Sequence, residues 1–134
     1  METIVIKCGG SILSELSDSF FNSIKELKDS GYKVVVVHGG GPEIAQTLSA
    51  LNLKSEFVNG LRKTTKEVLD VVEMVLSGTV NKQVVVELEK AGIPSVGLSG
   101  CDAELIKVKP VDLEQLGYVG EIIDVNVSFL DYLI

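Results

Sequence analysis

The chain has 134 residues, 12 basic and 19 acidic side chains, a formal net charge of −7 and 46% hydrophobic residues. That length suits one domain with a sizeable core, and the composition excludes intrinsic disorder. An acidic balance argues against a general nucleic-acid or anionic-membrane surface, which needs a basic patch. Mean hydropathy is +0.34, yet the apolar residues come in short runs such as the valines at 34–37, whereas a spanning helix needs about 20 in a row. No charged-then-apolar leader opens the sequence, so a cytoplasmic location is expected. Cys8 and Cys101 make neither a disulfide framework nor a metal-ligand set, and both read as reduced, structural residues.

Taken in order, residues 3–7 (T-I-V-I-K) read as a strand stopped by Gly9-Gly10. Residues 18–30 carry Phe20, Phe21, Ile24 and Leu27 at the spacing of one helical face, with Gly31 at the expected C-terminal cap. Residues 33–38, with four consecutive valines, suit a strand buried on both faces, as in a parallel sheet. Gly39–Gly41 ends it, and Pro42 suits the first turn of a helix to about Leu51. Residues 56–63, centred on Asn59-Gly60, read as a hairpin with a type I′ turn. Thr64 and Glu67 form a capping-box pattern opening a long helix to Leu76. A break is expected near Ser77–Gly78, with helix resuming over 81–90. Residues 93–98 read as another buried strand, and 105–109 and 119–125 as paired strands joined through Gly117. Residues 127–134 read as a helix begun and then cut inside the element. The alternation of strands and helices predicts an α/β fold, a three-layer αβα sandwich with a mainly parallel central sheet.

Five of the 13 glycines stand at two places, Gly9-Gly10 and Gly39-Gly40-Gly41, each directly after a predicted parallel strand. Ligands of open α/β sheets bind outside the carboxyl ends of the strands. Glycine there lets backbone N–H groups approach an anion closely, and a helix starting after the turn adds partial positive charge. Tight turns alone would also use glycine, but two such clusters beside Lys7 favour an anion site. Lys7 shares a strand face with Val5, opposite Ile4 and Ile6, and a compact ammonium is a good phosphate partner. Neither the phosphate-loop nor the dinucleotide fingerprint follows any strand, which argues against a dinucleotide-dependent oxidoreductase.

Lys7-Cys8-Gly9-Gly10-Ser11, His38-Gly39-Gly40-Gly41-Pro42, Gly60-Leu61-Arg62-Lys63-Thr64, Asn81-Lys82 and Gly117-Tyr118-Val119-Gly120-Glu121 together resemble the amino-acid kinase superfamily, and within it the acetylglutamate kinase branch. The resemblance covers all of the chain but only the N-terminal half of that fold. It implies that residues 1–134 are the amino-acid-substrate-binding lobe, with the C-terminal nucleotide-binding lobe absent. It implies Lys7 as transition-state stabiliser, with Lys7, Gly9 and Gly10 toward the phosphoryl group of ATP. Gly39 and Gly40 become main-chain contacts to N-acetyl-L-glutamate, Arg62 a carboxylate clamp, and the Asn59-Gly60 hairpin a lid. A planar guanidinium suits bidentate carboxylate binding independently of the resemblance.

His38 is assigned no chemistry, Thr64 and Glu67 are read as caps, and Asp102 as structural. No residues are assigned to a metal.

The implied reaction is ATP-dependent phosphorylation of the γ-carboxylate of N-acetyl-L-glutamate, a step of arginine biosynthesis, with ATP and Mg²⁺ required. A homodimer packed through the long central helix is implied, as is an arginine-insensitive member, with no nucleic acid and no membrane. The family's Asn-Ala-Asp and Gly-Gly-Met-x-x-Lys segments do not occur here, so the chain is expected to be an inactive half. Competing readings are a LysW-aminoadipate kinase and a non-catalytic anion-binding module; aspartokinases differ at Cys8 and Ser11.

Overall fold

A computed structural model describes residues 2–9 and 16–134. Strand β1 (Thr3–Cys8) pairs in parallel with β2 (Lys33–His38), in a register that sets Lys7 beside Val37 and Cys8 beside His38. Between them runs α1 (Asp18–Asp29), capped by the Ser17 side chain, which accepts from the Phe20 N–H; Phe21 and Ile24 are its buried residues. After β2, helix α2 (Gly41–Ala50) starts with Pro42 in its first turn and buries Ile44 and Leu48. Two-residue strands β3 (Phe57–Val58) and β4 (Leu61–Arg62) make the expected hairpin. Asn59 and Gly60 at its tip have φ of 50° and 81°, the left-handed pair that a type I′ turn requires.

The long helix opens one residue later than its sequence suggests. Helix α3 is Lys66–Glu73, and Thr65 rather than Thr64 is the N-cap, accepting from the Val68 N–H. Thr64 is instead buried and bridged to Gly117: its N–H donates to the Leu116 carbonyl and its own carbonyl accepts from Tyr118, both at 2.8 Å. Those two backbone bonds leave Thr64 in an extended connection outside the helix.

No break occurs at Ser77–Gly78. Residues Met74–Val80 form a π-helical segment leading directly into α4 (Asn81–Lys90), with the Asn81 N–H reaching back to the Leu76 carbonyl. The buried positions explain why. Val68, Val71, Val75, Val80, Val84 and Leu88 all lie in the core, and the step from 75 to 80 is one residue longer than an α-turn accommodates. The helix widens there and keeps its apolar face inward.

Residues 93–98 form no strand. Pro94 lacks an N–H, and side chains take the carbonyls that a neighbouring strand would: Ser95 donates to Ile93, Lys82 to Gly97 and Asn81 to Leu98. Strands β5 (Ile106–Pro110) and β6 (Gly120–Val125) pair antiparallel, with an irregularity at Lys107/Val108. Helix α5 (Val127–Leu133) is N-capped by Asn126.

The fold is therefore mixed α/β with small sheets, each a pair of strands among the described residues. One face of β1–β2 (Ile6, Cys8, Val34, Val36) packs on the helical core. The other is not buried, since Val5 is 63% and Val37 48% exposed. Expected burial of β2 on both faces is thus not observed. Among the described residues there is no disulfide; Cys8 is half-buried and Cys101 exposed, so the second cysteine has no core role.

Candidate substrate-binding site

Parallel pairing brings the two glycine turns to the same end of β1–β2. The Gly39 N–H donates to the Cys8 carbonyl at 3.3 Å, stitching the turns together where the strands end. Gly9 is exposed and Gly39 half-buried, and among the described residues no atom beyond the chain neighbours lies within 4 Å of the place a side chain would take on Gly9, Gly39 or Gly41. Gly9 and Gly39 are thus adjacent, and no described side chain fills the space beside them. Gly10 lies outside the described residues.

Gly40 differs, being buried at the N-cap of α2, where no side chain caps the helix. A Cβ there would meet Leu76 Cδ2 at 2.8 Å and Val80 Cγ2 at 3.2 Å. The π-helical segment thus presses against the loop and holds it close to the core at the start of α2.

Lys7 is exposed on the same β1 face as Val5, and no hydrogen bond or ion pair among the described residues engages it. Arg62 is held elsewhere. Its guanidinium lies 4.6 Å over the Phe57 ring and donates to Ser55 Oγ. Both contacts stay within or beside the hairpin, and none among the described residues joins Arg62 to the glycine turns. Cation–π stacking pre-orients the planar fork.

Behind the second glycine turn lies a polar network that spacing alone does not reveal. Asn81 is buried, and its Nδ2 lies 3.1 Å from His38 Nε2 and 3.2 Å from the Leu98 carbonyl oxygen. Lys82 Nζ donates to Asn81 Oδ1 at 3.1 Å and to the Gly97 carbonyl at 2.9 Å. His38 Nδ1 lies 3.1 Å from its neighbour's carbonyl, Gly39 O. A signal did exist: Asn81 shares the helical face of Val84 and Leu88, a polar residue where the apolar pattern calls for a hydrophobe.

Titration is perturbed away from this end. Hydrogen bonds from Ser99 hold the Asp102 carboxyl below the usual range, and Asp70 raises Lys66. Glu67 is lowered by its own backbone N–H and by Thr65, and Lys107 is raised by Glu104. Two shallow depressions, of about 200 and 190 Å³, lie beside β5–β6 and beside the hairpin at Lys63. Neither is lined by the described residues of the glycine turns.

Comparison with known proteins settles the family. The model of the amino acid kinase family matches residues 2–134. The chain belongs to that family. It is 61% identical over 133 residues to the acetylglutamate kinase of Geobacillus sp. (strain WCH70), covering 99% of this chain and 52% of the relative. To the acetylglutamate kinase of Geobacillus thermodenitrificans it is 58% identical over 132 residues, covering 98% and 51%. A crystal structure from Streptococcus mutans UA159 superimposes on this amino acid kinase chain with a TM-score of 0.92 at 30% identity, over 98% of this chain and 54% of the other. An N-acetylglutamate synthase from Neisseria gonorrhoeae gives 0.74 at 21% identity, over 98% and 31%, a likeness of fold alone. The chain spans about half the length of the relatives it matches.

Proposed function

We propose that this chain is the amino-acid-substrate lobe of an acetylglutamate kinase, acting in the cytoplasm in arginine biosynthesis. The single observation that supports this best is the parallel register that brings Gly9 and Gly39 to the same end of β1 and β2, with no described atom crowding the place of a side chain on either, in a chain of this family. In this reading Gly39 and Gly40 make main-chain contact with N-acetyl-L-glutamate, the Gly40 N–H acting as donor because that of Gly39 is already given to the Cys8 carbonyl, and Arg62 closes on a carboxylate as the hairpin folds over it. Lys7, with Gly9 and Gly10, faces the phosphoryl group arriving from ATP. A carboxylate with pKa about 4.3 is already ionised at neutral pH, so the nucleophile needs no general base. The work left to the protein is alignment in line with the transferring group and neutralisation of crowded negative charge.

Among the described residues no group of three or more His, Cys, Asp or Glu side chains could hold a metal ion. Mg²⁺ would accompany ATP through its phosphates, and no step is assigned to it. No helix among the described residues is long and apolar enough to cross a membrane. We further propose that a second lobe binds the nucleotide and completes a three-layer sandwich over the exposed Val5 and Val37 face. A homodimer would pack through the rod formed by α3, the π-helical segment and α4.

Calorimetric titration of the 134-residue chain with N-acetyl-L-glutamate tests the binding half of this reading. Saturable binding is expected, weakened by Arg62→Ala on the order of tenfold or more, as for loss of a charge-assisted pair. Binding indifferent to Arg62→Ala, or absent, would sink it. A hydroxamate assay with ATP and Mg²⁺ should show no acyl phosphate from this chain alone. Robust turnover abolished by Lys7→Ala would overturn the half-enzyme proposal.

A further inference from the structure

The network beneath the second glycine turn has one internally consistent assignment of protons. Asn81 Nδ2 carries two hydrogens and faces two groups, the Leu98 carbonyl oxygen and His38 Nε2. The carbonyl can only accept. Turning the amide over would set Oδ1 against that carbonyl and the NH₂ group against the Lys82 ammonium, which now donates to Oδ1. Two neighbours on opposite sides therefore fix the amide, and its second hydrogen points at His38 Nε2, which must be the bare, accepting nitrogen. The imidazole proton then sits on Nδ1 and is donated to Gly39 O, 3.1 Å away.

We infer that Asn81 is a positioning residue for the ligand cradle: it holds His38 as the Nδ1–H tautomer, and His38 in that state orients the Gly39–Gly40 peptide. The consequence follows from peptide planarity. Gly39 C=O and Gly40 N–H belong to one rigid trans unit and point in opposite directions. A hydrogen bond that fixes the carbonyl toward His38 therefore also fixes the Gly40 N–H, aimed away from the imidazole. Below it, Leu76 and Val80 close off the space under Gly40. The tautomer on His38 thus sets the direction of a backbone donor, and Asn81 selects the tautomer from a different helix. This inference rests on the reading of the glycine turns as the cradle for N-acetyl-L-glutamate.

His38 is the sole histidine in the chain, so its ring nitrogens can be observed without ambiguity in long-range ¹H–¹⁵N spectra of the ¹⁵N-labelled 134-residue protein. The expected native spectrum shows a pyrrole-type Nδ1 and a pyridine-type Nε2, the tautomer that free imidazole side chains disfavour. An Nε2–H spectrum from the native chain overturns the inference without recourse to any variant. Asn81→Asp replaces the donor with a carboxylate that only accepts. It should switch the ring to Nε2–H and shift the Gly40 amide resonance. It should also weaken N-acetyl-L-glutamate binding on the order of five- to tenfold, the size of one lost hydrogen bond. An Asn81→Asp chain with native circular dichroism, an unmoved tautomer and an unmoved Gly40 amide also overturns it. If the tautomer and the Gly40 resonance switch but neither protein binds N-acetyl-L-glutamate, the coupling stands and the substrate reading fails.

Discussion

Gly40 and Leu76 are fitted so closely that a single methyl group on Gly40 would lie 2.8 Å from Leu76 Cδ2, with the stiffer Val80 at 3.2 Å. Gly40→Ala should therefore destabilise the fold by about 1–2 kcal/mol, within the usual cost of overpacking. Because Leu76 Cδ2 is the far end of a rotatable side chain, Leu76→Ala should recover part of that loss in the double variant. Urea unfolding of the two single variants and the double variant checks it; strictly additive losses would show that the two residues do not compete for space.

Thr65, not Thr64, carries the cap of α3. Thr65→Ala should cost about 1 kcal/mol, the typical value of an N-cap side chain, and Thr65→Asp should restore most of it. Thermal melts of the two variants against the parent measure both. An Asp that fares no better than Ala would mean that the cap bond to Val68 contributes nothing.

Gly60 holds φ of 81° at the tip of the hairpin. Gly60→Ala forces a β-carbon into the left-handed region at a cost of about 1 kcal/mol. Gly60→Asn should be milder, since Asn tolerates that region. Amide exchange across β3–β4 should quicken more in the alanine variant than in the asparagine one.

Asp102 accepts from both the N–H and the hydroxyl of Ser99, at 2.6 and 2.9 Å, and its carboxyl is held below the usual range by those bonds. The folded-state value is the lower one, so its contribution is present above the ordinary carboxylate pKa of about 4 and lost as pH falls through the folded value. Asp102→Asn should leave stability at pH 7 slightly reduced and make the decline below pH about 4 shallower. Denaturant midpoints taken across that window report it, and a parallel decline in both proteins would exclude the linkage.

Much of this fold is legible in the sequence because its signals are local. Asn59-Gly60, the Gly31 turn and Pro42 each act through their own backbone geometry, and each stands where it is expected. The strand over 93–98 misleads for a nonlocal reason: side chains of Asn81 and Lys82, remote in sequence, take the carbonyls that pairing would have used. Thr64 misleads likewise, since its bridge to Gly117 is a tertiary contact. At the site, Lys7 and the glycine turns are readable from strand ends. The hold of Asn81 on His38 is not, because it depends on how α4 is rotated about its axis against β2.

That rotation traces to the wide turn between Met74 and Val80. Each residue of an α-helix advances about 100° around the axis. Tightening this stretch to α pitch with the sequence unchanged would swing everything beyond it by roughly that angle. Asn81 would leave His38, and Val84 and Leu88 would turn toward water. The broadened coil is the phase adjuster of the rod: it lets one extra residue enter a helix while both halves keep facing the same interior.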